Sequence, residues 1–189
     1  MGVSAARKWR VGAGLWGFAE ATFFFIVPDV LLTASLLSGH YRRALRLCLI
    51  ASIAAAMGGL VMWFWGAYAV DSARAFLLRI PLIAPDLLAR VGHEITSLWP
   101  WNLAKGAVTG APYKIYAVEA GANGVNPLNF AIASIPARLA RFVLIVSAAA
   151  LIKLLLIRLG KMNWAPWLLI GFWVALYIVY GKIRLAAGN

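Results

Sequence analysis

Residues 18–32 read FAEATFFFIVPDVLL. The stretch is apolar enough for a bilayer, yet it carries Glu20 and is interrupted by Pro28-Asp29, so an uninterrupted spanning helix is a poor reading of it. It sits in an apolar block, residues 11–37, with Arg7, Lys8 and Arg10 before it and Arg42, Arg43 and Arg46 after it. A simple crossing would put one of these basic clusters on the outer side, against the tendency of Lys and Arg to stay cytoplasmic. A re-entrant hairpin returns both ends to the same face. Proline removes a backbone donor and disfavours helix in the residue before it, which places the turn near residues 27–29. Broken backbone at membrane depth is tolerated only when protein or a cavity surrounds it.

Outward from this block the same logic repeats. Residues 45–70 form an apolar run of crossing length, with small residues at 51–56 and a Gly58-Gly59 pair suited to close helix packing within the chain or between copies, so a homo-oligomer is compatible with the sequence. Residues 71–100 balance Asp71, Asp86 and Glu94 against Arg74, Arg79 and Arg90, and read as amphipathic interfacial helices on the outer side, broken at Pro81, Pro85 and Pro100. A second irregular block, residues 101–125, holds Lys105, Lys114 and Glu119 and is interrupted by Gly110-Ala111-Pro112. It reads as a second re-entrant element entered from the opposite face. Residues 127–157 follow, with an expected break at Pro136 and with Arg138 and Arg141 inside; Lys153, Arg158 and Lys161 put their far end in the cytoplasm. The last span, residues 164–180, has Trp164 and Trp167 at one end and Tyr177 and Tyr180 at the other, the pattern of an aromatic belt at both interfaces.

The expected fold is therefore an all-α integral membrane protein: two oppositely oriented re-entrant hairpin-plus-span units forming an inverted repeat, amphipathic linker helices, and an extra C-terminal transmembrane helix. The whole chain, residues 1–189, reads as a single membrane domain with a core at about 11–160. Transporters are commonly built on such inverted repeats. Composition agrees, with 63% hydrophobic and only 13% charged residues, about half the charged share of a soluble domain. The net charge of +12 arises from Lys and Arg at the ends of apolar segments, which fits topology signals and anionic-lipid contact and argues against nucleic acid. The N-terminal Arg7, Lys8 and Arg10 before an apolar run resemble a signal peptide, but Glu20 within that run argues against cleavage. The single cysteine, Cys48, excludes an internal disulfide and reads as a packed thiol. His40 and His93 are too far apart to predict a metal site and are placed in loops.

Seven charged residues fall inside the apolar blocks: Glu20, Asp29, Lys105, Lys114, Glu119, Arg138 and Arg141. Each costs roughly 2.5–3.5 kcal/mol at the centre of a spanning helix, so they must pair, line water or reach an interface. The signs segregate, acids in the first hairpin and mostly bases in the second and its span. Hairpins that meet near the bilayer centre would neutralise each other and leave one positive charge over, which suits an anionic head group such as a phosphate. Lys105 also reads as an interfacial snorkeller, Glu119 as a structural partner of Lys114, and Asp29 as a helix cap. Arg138 and Arg141, three apart, share a helix face and point to a common target. A desolvated Glu20 or Asp29 can in principle carry a proton.

Three segments in order resemble the DedA family, also called VTT or SNARE-associated proteins, and within it the YqaA-like branch. Residues 18–32 resemble the first signature, an acidic residue before a Pro-rich turn ending in Pro-Asp. TGAPYKIYAVEAG at 109–121 resembles a Thr-Pro-x-Pro-Tyr-Lys stretch, and ASIPARLARF at 133–142 resembles Ser-x-x-Gly-Arg-x-x-Arg-Phe. Phe25 and Val27 stand where the pattern has proline, and Pro136-Ala137 and Glu119 also depart from it. The resemblance implies two opposed re-entrant hairpins in a bacterial inner membrane. It implies translocation of lipids such as undecaprenyl phosphate or phospholipids by a flippase- or scramblase-like route, in some members with proton coupling. It places Glu20 and Asp29 at the family's acidic positions and Lys114, Arg138 and Arg141 at its basic ones.

Two other functions use the same residues: an ion- or proton-coupled transporter of a small solute, and a non-transporting membrane scaffold. An enzyme is not expected, because no Ser/His pairing, metal-ligand spacing or phosphate-binding Gly loop is present. No cofactor or metal is expected; the expected partners are membrane lipids with anionic head groups.

Overall fold

A computed structural model describes residues 3–37, 39–81 and 83–187, and among them every regular element is a helix. These are α1 (Val3–Thr22), α2 (Asp29–Leu37), α3 (Tyr41–Tyr68), α4 (Val70–Leu77), α5 (Pro85–Ile95), α6 (Trp99–Thr109), α7 (Tyr113–Ala122), α8 (Pro127–Arg158) and α9 (Ala165–Ala187), with a short 3₁₀ turn at Met162–Trp164 before α9. Three are long and apolar enough to cross a membrane: α3, α8, and the stretch Met162–Lys182, with mean hydropathies of 2.1, 2.3 and 1.5.

Both breaks expected from proline and glycine are present. α1 stops at Thr22 and α2 starts at Asp29, so Pro28 directly precedes the second helix. α6 ends on Gly110, whose φ of 85° lies in the left-handed region that favours glycine, and Pro112 precedes α7. Elsewhere proline plays a different part from the expected one. Pro85 and Pro100 begin α5 and α6, where the missing N–H would have had no partner in any case. Pro136 does not break residues 127–157: α8 runs through it without interruption, as membrane helices can when neighbours compensate the lost bond. α8 starts cleanly because the Asn126 side chain accepts from the N–H groups of Leu128 (3.0 Å) and Asn129 (3.1 Å), with Pro127 at the first turn. The linker is amphipathic as expected; α5 buries Leu87, Leu88, Val91 and Ile95 and exposes Asp86 and Arg90. His93 belongs to the last turn of α5, not to a loop, whereas His40 immediately precedes α3.

α3 is the central helix, with 56% of its apolar window buried against 17% for α8 and 11% for the last span. It packs on α1, α7 and α8, while α2 packs on α8 and α6 also lies against α8. Small residues permit these close crossings. Gly58 faces the backbone of α1 at Phe18, and Gly59 faces the Tyr113 ring, so the Gly58-Gly59 pair serves contacts within the chain. Further along, Gly66 lies on the Val118 carbonyl and Gly121 on the Trp63 carbonyl, locking α3 to α7 reciprocally.

The buried apolar residues form two clusters. One gathers α4 to α7 around the second half of α3, and the other gathers α1, α2 and part of α8 around its first half, with Cys48 buried there. α8 and α9 instead expose large apolar side chains such as Leu144, Leu151, Ile170 and Val174. Exposure of apolar surface on that scale fits a lipid environment.

Candidate functional site

The two breaks meet. Residues 23–28, between α1 and α2, leave backbone groups without helical partners, and side chains from distant elements take them up. The Lys114 ammonium donates to the Phe24 carbonyl (2.9 Å), Trp16 Nε1 donates to the Ile26 carbonyl (2.9 Å), and the Val27 N–H donates to Tyr177 Oη (2.8 Å). The last bond requires a residue other than proline at position 27.

Glu20, in the last turn of α1, and Asp29, at the start of α2, flank this loop. Each is ion-paired to α8. Glu20 pairs with Arg138, the two side chains being 6% and 4% exposed. Asp29, fully buried, pairs with Arg141 Nη2 at 2.6 Å. Arg138 and Arg141 therefore share a face, as their spacing predicts, but serve two carboxylates and not one. The Arg138 guanidinium also lies over the Tyr113 ring (4.6 Å to the centroid) and near that of Phe142 (5.2 Å). Such contacts favour a desolvated guanidinium. Tyr113 is held in turn by donating to Ser134 Oγ (2.8 Å), and Ser134 lies one turn before Arg138 on α8. Both ion pairs are incomplete: Asp29 Oδ1 and Arg138 Nε are buried without a hydrogen-bond partner.

Five of the seven expected residues thus come together: Glu20, Asp29, Lys114, Arg138 and Arg141. Two acids against three bases leave a formal excess of one positive charge. Lys105 lies exposed on α6 and does not join them. Glu119 is fully buried but does not pair with Lys114. Five residues apart on α7, the two point about 140° apart around the helix axis. Glu119 instead receives a two-pronged hydrogen bond from Arg74 of α4, Nε to Oε1 at 2.8 Å and Nη2 to Oε2 at 2.7 Å. That bond raises the already high pKa of Arg74. The planar fork on a carboxylate ties α4 to α7.

A separate expectation follows. Arg74→Ala leaves Glu119 buried without its partner. The loss should fall at or below the lower end of the roughly 3–5 kcal/mol typical of a broken buried pair, since Arg74 is 40% exposed. Thermal unfolding in detergent checks this.

Against the five charges lies a cleft of about 660 Å³, with Glu20, Lys114 and Arg141 in its lining. Its other walls are apolar: Phe25 and Val27 from the first loop, Ile80, Pro81 and Ile83 from the linker, Leu144 and Ile145 from α8, and the inner face of α9. Tyr177 and Tyr180 belong to this inner face. Tyr180 Oη donates to the Gly110 carbonyl (3.1 Å), so both tyrosines hold α9 over the two breaks and do not act only as an interfacial belt. Trp164 and Trp167, at the other end, are exposed. Tyr113 and Ser134 carry no charge to mark them; the signal is their place in the segments 109–121 and 133–142, Tyr113 beside Lys114 and Ser134 one turn before Arg138.

No family model matches the chain, and no solved structure matches it. A relative from Haemophilus influenzae, described as an uncharacterized protein, is 29% identical over 136 residues, covering 70% of this chain and 68% of its own length.

Proposed function

We propose that this protein is a lipid translocase of the DedA/VTT type, acting on a phosphate-bearing lipid such as a polyprenyl phosphate or a phospholipid in a bacterial inner membrane. The observation that carries the reading is the composition of the central cleft. Among the described residues its only charged lining residues, Glu20, Lys114 and Arg141, face walls that are otherwise largely apolar. A head group needs the first and its tails need the second. Arg141 gives one nitrogen to Asp29, so its other guanidinium donors remain for a phosphate. Guanidinium forks match phosphate oxygens in charge and shape. Carrying a head group past these charges while the tails stay in lipid is the chemistry of translocation.

The packing supports an inverted repeat for the same task. α1, α2 and α3 would form one unit and α6, α7 and α8 the other. Consistent with that division, α7 packs on α3 as α2 packs on α8, and α6 lies on α8 as α1 does on α3. Opposed hairpins would then meet at the charges from opposite faces. Proton coupling would run through Glu20 or Asp29, the acids placed beside the arginines.

The test is reconstitution into vesicles containing fluorescent phospholipid or polyprenyl phosphate. Native protein is expected to move lipid between leaflets, and Glu20→Gln, which keeps the shape and loses the charge, to reduce movement to that of protein-free vesicles. No movement by correctly inserted native protein, with and without an imposed proton gradient, would turn the reading toward solute transport or a scaffold.

A further inference from the structure

A second cleft, of about 410 Å³, adjoins the first between α2, α8 and α9. Ile145, Phe172 and Trp173 line both. The two therefore lie end to end along the seam of α8 and α9, with Trp173 at the boundary. Trp173 is buried and fixed by donating through Nε1 to Thr33 Oγ1 (3.1 Å). From Arg141 in the first cleft to Leu156 in the second is fifteen residues along α8, or roughly 22 Å at 1.5 Å per residue. That is more than half of a hydrocarbon core of about 30 Å.

The second cleft offers few polar groups. The Thr33 hydroxyl donates to the Asp29 carbonyl (2.6 Å) and accepts from Trp173. The Lys153 ammonium spends two of its three donors on the Leu36 carbonyl and the Gly39 carbonyl at the end of α2. The remaining lining is Leu, Ile, Ala, Phe and Trp. The lining therefore favours an apolar occupant, and continuity with the charged cleft says to what it is attached.

Resting on the proposed lipid function, we infer that the second cleft is a chain subsite: it takes one hydrocarbon chain of the lipid whose phosphate is held at Arg141 and Lys114, with Trp173 as the residue the chain must pass. The substrate class is then a long-chain phosphate lipid, and chain length is part of recognition. Ala148 and Leu168, both exposed, line this cleft from α8 and α9, so a large side chain at either fills it without disturbing packed core.

The test is binding of dihexanoyl and dioleoyl phosphatidic acid to the full-length protein in detergent, measured by titration calorimetry. Native protein is expected to favour the dioleoyl lipid several-fold at equal mole fraction in the micelle, because only its chains are long enough to reach past Trp173 into the second cleft. Ala148→Trp is expected to erase this preference, leaving both lipids at the native short-chain affinity. Leu168→Trp should do the same from the opposite wall, so misfolding of one variant leaves the test standing. Arg141→Ala should weaken both lipids by the same factor. A native preference that survives both tryptophans, or no native preference at all, overturns the chain subsite while leaving lipid binding intact. Failure of native protein to bind either lipid overturns the subsite together with the lipid function.

Discussion

Replacing Arg138 with methionine is expected to cost about 3–5 kcal/mol of stability and to abolish lipid movement, while replacing Glu20 and Arg138 together recovers most of the stability and none of the movement. The single change leaves the Glu20 carboxylate, only 6% exposed, without its ion-pair partner. Losing one member of a buried pair costs that much because the survivor stays desolvated. In Glu20→Leu/Arg138→Met neither charge remains, no side-chain polar group is left unpaired, and methionine fills the volume between the rings. A buried pair exchanged for well-packed apolar groups of similar volume is often neutral in stability. The comparison therefore separates two roles that a single substitution confounds. Thermal unfolding in detergent reads the fold, and lipid movement in vesicles reads the function. A double variant that is both stable and active would show that this pair only holds α1 to α8.

Gly121→Ala is expected to lower the thermal midpoint by on the order of 2–10 °C, from an overpacking cost of about 1–3 kcal/mol. A Cβ at this position would fall on the Trp63 carbonyl and come within 2.9 Å of the Ala67 backbone nitrogen. Both neighbours belong to the backbone of α3, so no rotamer change makes room. The helices must separate, and Gly66, pressed on the Val118 carbonyl from the other side, resists that separation. The sign should reverse at Gly171. A Cβ there meets nothing within 4 Å, and alanine is the better helix former by about 1 kcal/mol, so Gly171→Ala should raise the midpoint slightly. Differential scanning fluorimetry on the two variants measures both. Equal, small effects would mean that the α3–α7 crossing carries less of the stability than its closeness implies.

Much of this architecture follows from residue chemistry alone. Pro28-Asp29 and Gly110-Ala111-Pro112 mark breaks because proline lacks a donor and glycine tolerates positive φ, and the helices stop there. Hydropathy marks the three long apolar helices. Charge segregation brings Glu20 and Asp29 to Arg138 and Arg141. What periodicity does not supply is the identity of a partner. Arg138 and Arg141 share a face, yet whether they meet one carboxylate or two depends on the loop that separates Glu20 from Asp29. Glu119 finds its cation 45 residues upstream, in a linker whose charges look balanced and solvent-facing. Pro136 shows the opposite limit, since the penalty for a proline in a helix depends on what surrounds it. Tyr177 and Tyr180 read as belt residues because composition gives depth in a membrane but not the direction in which a ring points.

The two ion pairs have a further consequence in time. Arg138 lies 118 residues after Glu20, and Arg141 lies 112 after Asp29. At a translation rate of about 5–20 residues per second, the acids are made roughly 6–24 s before their bases. Throughout that interval the α1–α2 segment carries two carboxyl groups that hydrocarbon does not accept in charged form. It must wait at the surface, stay sheltered in the insertion machinery, or enter protonated. The depth of the N-terminal third of the molecule is therefore settled only when α8 arrives, and nascent chains cut short before Arg138 should insert differently from those cut just after Arg141.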